Sequence, residues 1–471
     1  MVPVSFKPLL RTAKSAPCGN NLSDKSVPSG GAIAPENALV ERQFMAPDSP
    51  FEPTVAATNS RTTGPGCRFC GAALHDFVDL GMSPLCESFL AADQLDAMEP
   101  FYPLKVMVCG NCFLAQVKEY VTPEHIFREY AYFSSYSQAW LDHARRYTEM
   151  AVERFRLGRD SRVVELASND GYLLQFFAAK GYQVLGIDPA ENVAKAAEAR
   201  GVRTLTRFFN SDTARELAAD GVFADLVIGN NVLAQVPDIN GFLAGVPLIL
   251  KPRGIATFEF PHLLQLITEN QFDTIYHEHF SYFSLMTAER ILAAQGLRVF
   301  DVEELWTHGG SLRLFVCRAD NADQPISATV AALLERERRA GLHELATYAA
   351  FEERVRETKR RLLGFLIGAK REGKSVAGYG APGKGNTLLN YCGIRSDFLD
   401  YTVDRNPYKH GKYLPGTHIP VLPPERIAET RPDYLLILPW NLKDEIMEQM
   451  AFIREWGGRF VVPIPEVRVY P

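Results

Sequence analysis

What this chain lacks narrows its function before any motif is read. No apolar run approaches the roughly 20 residues that span a bilayer, and the short one from Phe242 to Leu250 is stopped by Lys251 and Arg253. A membrane partner is therefore not expected. The N-terminus has no long apolar core, so no secretory leader is expected, and a cytoplasmic location is. A basic excess is also absent: 50 Lys and Arg face 56 Asp and Glu, for a formal net charge of −6. Nucleic acid is thus not an expected partner, since its binders carry a basic stripe. Cysteine is sparse, at 8 residues. In a reducing compartment, paired cysteines mean metal more often than disulfide.

What is present is an ordinary globular composition, 46% hydrophobic and 23% charged, over 471 residues, enough for about three domains. Residues 1–63 are rich in Pro, Ser, Ala, Asn and Gly without periodicity and read as a disordered tail. Within it, Met45 is an alternative translation start. A module over 64–125 follows, with two knuckles, Cys67-Arg68-Phe69-Cys70 and Cys109-Gly110-Asn111-Cys112. Each knuckle puts two thiolates on one ion, and two complete a tetrahedral site for structural zinc with no position open for chemistry.

Residues 126–318 begin with an aromatic, hydroxyl-rich segment and a helix from Gln138 to Phe155. Short apolar runs then alternate with helical segments, the mark of a parallel α/β sheet. Strands are expected at 162–166, 184–187, 224–229 and 255–260. The first ends in Glu165-Leu166-Ala167-Ser168-Asn169-Asp170-Gly171, the second in Asp188, the third in Asn230-Asn231. A nucleotide-type crevice lies at such strand ends, and a terminal acid suits ribose hydroxyls. The first loop lacks the G-x-G-x-x-G that lets a pyrophosphate approach, and Asp170 would repel phosphate. An adenosine ligand without phosphate fits better. The loop resembles the first motif of class I S-adenosylmethionine (SAM) methyltransferases. That resemblance implies cofactor contacts at Glu165, Ala167, Asn169, Asp170, Gly171, Asp188 and Asn230.

A helical connector with paired Glu and Arg is expected over 319–372. Residues 373–471 read as a second Rossmann-like α/β domain. Its loop from Gly378 through Tyr379, Gly380, Ala381, Pro382 and Lys384 to Asn386 leads into a helix and suits a phosphate. A turn that merely needs positive φ angles explains the glycines equally well.

Between the two α/β units lies Tyr276-His277-Glu278-His279-Phe280-Ser281-Tyr282-Phe283-Ser284. Histidine titrates nearest neutrality and is the usual proton-transfer group. A phenol can donate to a developing oxyanion. An aromatic strand with satisfied histidines is the plainer alternative. If the stretch is a strand, His277 and His279 share one face and Glu278 takes the other. His262 and His308 are expected to be structural or to contact substrate.

Taken jointly, the two knuckles, Asn169-Asp170-Gly171, Asn230-Asn231-Val232-Leu233, the 276–284 stretch and Gly378–Asn386 resemble the zinc-containing sugar C-methyltransferases of deoxysugar pathways. The resemblance runs from Cys67 to the end of the chain. It implies a zinc module, a class I SAM domain and a C-terminal Rossmann-like domain, and methylation at C3 of a nucleotide-linked 4-keto sugar. It makes His279 the base, with His277 as rival. Tyr276, Glu278, Asn231 and Tyr132 become catalytic-site residues. The loop of Tyr379, Gly380, Ala381, Pro382 and Lys384 falls on the nucleotide-sugar side. Gln235 departs from the family, which commonly has a substrate-side histidine there. Two other classes stand beside this one: an O- or N-methyltransferase, and a non-catalytic zinc and nucleotide-sugar binder. An RNA-modifying enzyme fits the acidic balance less well.

Overall fold

The computed structural model describes residues 66–127, apart from the His125 side chain, and 133–471. The tail expected over 1–63 and Tyr132 lie outside the described residues. Strands β1 (Leu74–Ser83), β2 (Tyr102–Cys109) and β3 (Ala115–Val117) form an antiparallel meander joined to the cysteine knuckles. Alternation does the work here: Val106 and Val108 are fully buried while Lys105 and Met107 are not.

The central sheet takes β4 (Arg162–Leu166), β5 (Gln183–Ile187), β6 (Thr204–Leu205), β7 (Ala224–Asn230) and β8 (Leu250–Pro261) in parallel. The next strand, β9 (Ser281–Tyr282), leaves this sheet and pairs antiparallel with β3, completing the four-stranded sheet β1-β2-β3-β9. Then β10 (Leu297–Leu305) forms the far edge and β11 (Ser311–Arg318) inserts between it and β8, antiparallel to both, giving the order β10-β11-β8-β7-β4-β5-β6. The strand order reverses between β4 and β7, and a crevice opens at their carboxyl ends. Near-continuous burial of β4 and β7 fits strands covered on both faces.

The connector is less uniform than its sequence suggests. The single helix-like run expected from 327 to 371 is three helices, Ala328–Arg339, Leu345–Ala349 and Phe351–Arg371. Gly341, at φ +74°, takes the left-handed conformation that ends the first. The helix expected from Leu442 to Trp456 is likewise broken, helical over Lys443–Gln449 and 3₁₀ on either side.

The C-terminal sheet holds β12 (Val376–Tyr379), β13 (Thr402–Val403), β14 (Val421–Leu422), β15 (Tyr434–Ile437), β16 (Arg459–Val462) and β17 (Arg468–Tyr470). Its order is β14-β13-β12-β15-β16-β17, parallel except for β17. One apolar core joins Phe77, Val78 and Leu80 of the zinc module, Tyr348 and Phe351 of the connector, and the C-terminal sheet. Among the described residues, no helix is long and apolar enough to cross a membrane.

Candidate active site

The knuckles come first because they anchor the rest. The Sγ atoms of Cys67, Cys70, Cys109 and Cys112 all lie within 4.8 Å of one another. Cys67 and Cys112 are 3.6 Å apart, Cys70 and Cys109 3.5 Å. A tetrahedral zinc with bonds of about 2.3 Å separates its sulfurs by about 3.8 Å, so the four thiols fit the ion. The first knuckle closes by Gly71 N–H donating to the Cys67 carbonyl, with Gly71 at φ +72°. The second turns its Asn111 and Cys112 amides onto Cys109 Sγ. Thr287 and Arg290, on helix Leu285–Ala294, donate to the carbonyls of Cys112 and Asn111. The zinc module is thus fastened to the helix that follows the histidine stretch.

The first loop of the central sheet is tightly wound, with positive φ at Ala167, Asn169 and Gly171. A side chain on Gly171 would meet Val202 and Ala197 at 3.1–3.2 Å. Asp188 accepts from the amides of Asn169 and Ala190, both at 2.9 Å, so it ties the loop to β5 as well as standing at the strand end. Asp170 pairs with Arg200 and accepts from Ser135, while the Ser134 amide donates to Asn169 Oδ1. Around these strand ends, Glu165 Oε2, Asp170 Oδ1, Asn230 Oδ1 and Asn231 Oδ1 are buried oxygens without a hydrogen-bond partner. Burial, then Asp188 and Asp170, push the Glu165 carboxyl well up. The unpaired oxygens of Asp170, Asn230 and Asn231, beside a Glu165 carboxyl that burial favours in its acid form, suit a ligand rich in donors, such as the hydroxyls, amine and ammonium of SAM, and disfavour a phosphate.

The histidine stretch departs from the strand reading. Only β9 is strand; Tyr276 to His279 is a turn, closed by His279 N–H donating to the Tyr276 carbonyl at 3.0 Å. Strand alternation therefore does not hold, and the two histidines diverge. His277 Nε2 donates to the Pro103 carbonyl at 3.3 Å and its ring packs on Tyr102, both of the zinc module. His279 lies against Tyr276, ring centroids 4.1 Å apart, and its Nδ1–H donates to the Thr274 carbonyl at 3.3 Å. That bond leaves Nε2 as the lone-pair nitrogen. Burial, then the nearby His308 and Lys384, push His279 down to about 3, so its ring is neutral at physiological pH. The amide of Phe280 donates to the Ala234 carbonyl, joining this stretch to the 3₁₀ turn Leu233–Gln235. Gln235 and Asn231, which is at φ +54°, stand beside it, each half-buried.

Glu278 turns away to a partner the sequence does not announce. Cys86 Sγ–H donates to Glu278 Oε2 at 3.1 Å, and both residues are buried. Burial raises Glu278 to about 7, and the Cys86 contact works against that rise. We expect Cys86→Ala to raise the Glu278 titration further and to cut kcat about tenfold, since an unpaired buried acceptor costs about 1–3 kcal/mol. Cys86→Ser should restore both, and a pH–rate profile of the three proteins checks this.

His262 is structural. It bonds the buried Glu337 of the connector at 2.7 Å, and Glu337 also accepts the amides of Leu285 and Met286 at the start of their helix. A second buried network surrounds Glu259, the acid near the end of β8. His143, Arg313 and Thr307 all donate to it, and the Asn231 amide donates to its carbonyl. Neither this network nor Cys86 follows a motif; long sequence separations hide both.

In the C-terminal domain, the Gly378–Asn386 loop spends its donors on protein carboxylates. Ala381 N–H donates to Asp404 Oδ2 at 2.7 Å, and Glu87 accepts the Gly383 amide at the start of helix Gly383–Cys392. Gly380, at φ +89°, packs so closely on Pro439 that a side chain would collide at 2.5 Å. Tyr379 donates to Gln449, and Pro382 precedes the helix as its cap. Lys384 points inward, to Asn441 Oδ1 at 2.7 Å and the Trp440 ring at 4.8 Å.

A seven-stranded sheet with one antiparallel strand, β11, second from its edge, an acidic glycine loop at its switch point and SAM-suited polar groups defines a SAM-dependent methyltransferase of class I. Family models agree: a methyltransferase domain matches residues 140–302, a zinc binding domain 67–127 and a C-methyltransferase C-terminal domain 306–465. The chain is 40% identical over 407 residues to C-methyltransferase NovU of Streptomyces niveus, covering 86% of this chain and 96% of that one. It belongs to that C-methyltransferase family. A ubiquinone biosynthesis O-methyltransferase of Rhizobium etli is 25% identical over 211 residues, 41% of this chain and 82% of its own. Among solved structures, magnesium protoporphyrin IX methyltransferase of Synechocystis aligns with TM-score 0.31 and 16% identity over 38% of this chain and 83% of its own.

Proposed function

We propose that this methyltransferase acts on a nucleotide-linked 4-keto-deoxysugar and methylates the carbon beside the ketone, C3. What carries this reading is a neutral histidine, His279, with its lone pair on Nε2, in a relative of a C-methyltransferase. Methylating carbon needs a carbanion equivalent and hence a base for a carbon-bound proton; O-methylation would use the same base on a hydroxyl, so the relative's C-methyl chemistry decides between them. Bound SAM supplies an electrophilic methyl group. Glu165, Ala167, Asn169, Asp170, Gly171, Asp188 and Asn230 would hold it at the β4–β7 crevice.

His279 Nε2 takes the C3 proton, and the C–H pair forms the enolate double bond as the carbonyl pair moves onto oxygen. Tyr276 and Tyr132 are assigned to the substrate or the enolate oxygen, Asn231 and Glu278 to the same site. Gln235, Tyr379, Gly380, Ala381, Pro382 and Lys384 are assigned to the nucleotide-sugar side. Placing C3 within reach of both base and methyl donor supplies much of the acceleration. His277 is the lesser candidate, because it is buried against Tyr102 and Pro103 of the zinc module whereas His279 is only half-buried. The four-cysteine site is assigned to structural zinc, the remaining chain to the divisions 64–125, 126–318, 319–372 and 373–471, and the location to the cytoplasm.

The test is incubation with SAM and a panel of nucleotide 4-keto-6-deoxysugars. One added methyl, with loss of the C3 hydrogen label, is the expected result. Methyl gain on oxygen with the label retained would replace this reading with an O-methyltransferase.

A further inference from the structure

Resting on that reading, we infer that Lys384 is a catalytic cation that meets the ketone oxygen of the substrate, rather than a phosphate ligand of the glycine loop. Of the loop's amides, Ala381 N–H is engaged by Asp404, Gly383 N–H by Glu87 and Gly380 N–H by the Val403 carbonyl. Lys384 instead leaves the loop for the interface between the two α/β units. There its Nζ is held by Asn441 Oδ1 at 2.7 Å and lies over the Trp440 ring. The Trp440 indole N–H donates to Asp273 Oδ2 at 2.7 Å. Asp273 immediately precedes Thr274, whose carbonyl receives the His279 proton. One chain of contacts therefore links the ammonium to the base across the domain boundary.

The same corner is open to a ligand. Lys384, His279, Tyr276 and His308 are each only half-buried, whereas Asp273 is fully buried. A cavity of about 240 Å³, lined by Gln271, Gly309, Trp440 and Asn441 among others but not by Lys384, His279, Tyr276 or His308, borders the Trp440–Asn441 side of this corner. Asp273 Oδ1 is buried without a hydrogen-bond partner; burial raises its carboxyl to about 7, so it becomes the counter-charge of the ammonium as pH rises through neutrality.

The charges around His279 are few. From the loop before β11 comes His308, from the C-terminal helix Lys384, with Asp273 behind the latter; Tyr276 and Tyr282 come from its own stretch. A cation here does two things. It stabilises the negative oxygen that forms as the C3 proton leaves. It also adds, after burial and His308, a like-charge repulsion that disfavours protonation of His279. Burial lowers Lys384 to about 8 and Asp273 opposes that fall, so the ammonium persists at neutral pH.

The experiment follows C3 hydrogen–deuterium exchange without SAM, across pH, in the wild type, Lys384→Met, Lys384→Arg and Asp273→Asn. Lys384→Met should slow exchange about a hundredfold or more and move the acid limb slightly upward, burial and His308 still holding His279 low. Lys384→Arg should keep the wild-type acid limb. Asp273→Asn should move the basic limb to lower pH, because Lys384 loses its counter-charge; this variant decides the matter if Lys384→Met does not fold. Exchange by Lys384→Met within threefold of wild type, with an unmoved acid limb, overturns the inference. So does an unmoved basic limb in Asp273→Asn. A wild type that transfers methyl but never exchanges the C3 hydrogen overturns the deprotonation reading itself.

Discussion

His279→Asn is expected to abolish both hydrogen exchange at C3 and methyl transfer, each by about 10²–10⁴-fold, the range for a lost general base. Asparagine retains the donor that meets the Thr274 carbonyl, so the turn over Tyr276–His279 should persist. SAM affinity, measured by calorimetry, should stay within about twofold, because the cofactor crevice lies at β4, β5 and β7. His277→Asn is the control. Its ring sits against Tyr102 and Pro103, so the expected loss is in thermal stability, with exchange preserved. If His277→Asn stopped exchange and His279→Asn did not, the base would be reassigned.

Removing the metal should have the second large effect. The wild type should carry one zinc per chain by elemental analysis, and Cys112→Ser should carry much less. Structural zinc stabilises small domains by about 10–16 kcal/mol in apparent binding free energy, and Cys67, Cys109 and Cys112 are buried. Chelation should therefore lower the melting temperature sharply and remove activity, and zinc should restore both. A chelated, metal-free protein with unchanged melting temperature and full activity would contradict the assignment. Activity is expected to fall because β9, two residues beyond His279, pairs with β3 of the zinc module.

Legibility from sequence follows contact range. The strand ends bearing Glu165, Asp188 and Asn230 are set by local apolar runs, and their expected bounds differ from the observed ones by a residue at most places. The knuckles are equally local, since two cysteines and a glycine turn fix each one. What sequence hides is which distant side chain answers a given group. Cys86 and Glu278 are 192 positions apart, and nothing in either neighbourhood marks the pair. The direction of Lys384 depends on Trp440 and Asn441, which enter from another strand end. The histidine stretch was ambiguous for a related reason. Its aromatic residues favour a strand, but the turn hydrogen bond and the edge of β3 leave only Ser281–Tyr282 extended.

The placement of β9 also bears on how such enzymes can be recombined. The zinc-binding segment is contiguous over 67–127, yet its sheet has a fourth strand drawn from residues 281–282. A graft that exchanges only the contiguous segment would pair a foreign β3 with a resident β9, and a slip of one residue there flips its side chains between faces. Chimeras that carry the Ser281–Tyr282 edge together with the cysteine segment are the ones in which the neighbouring His279 keeps its orientation.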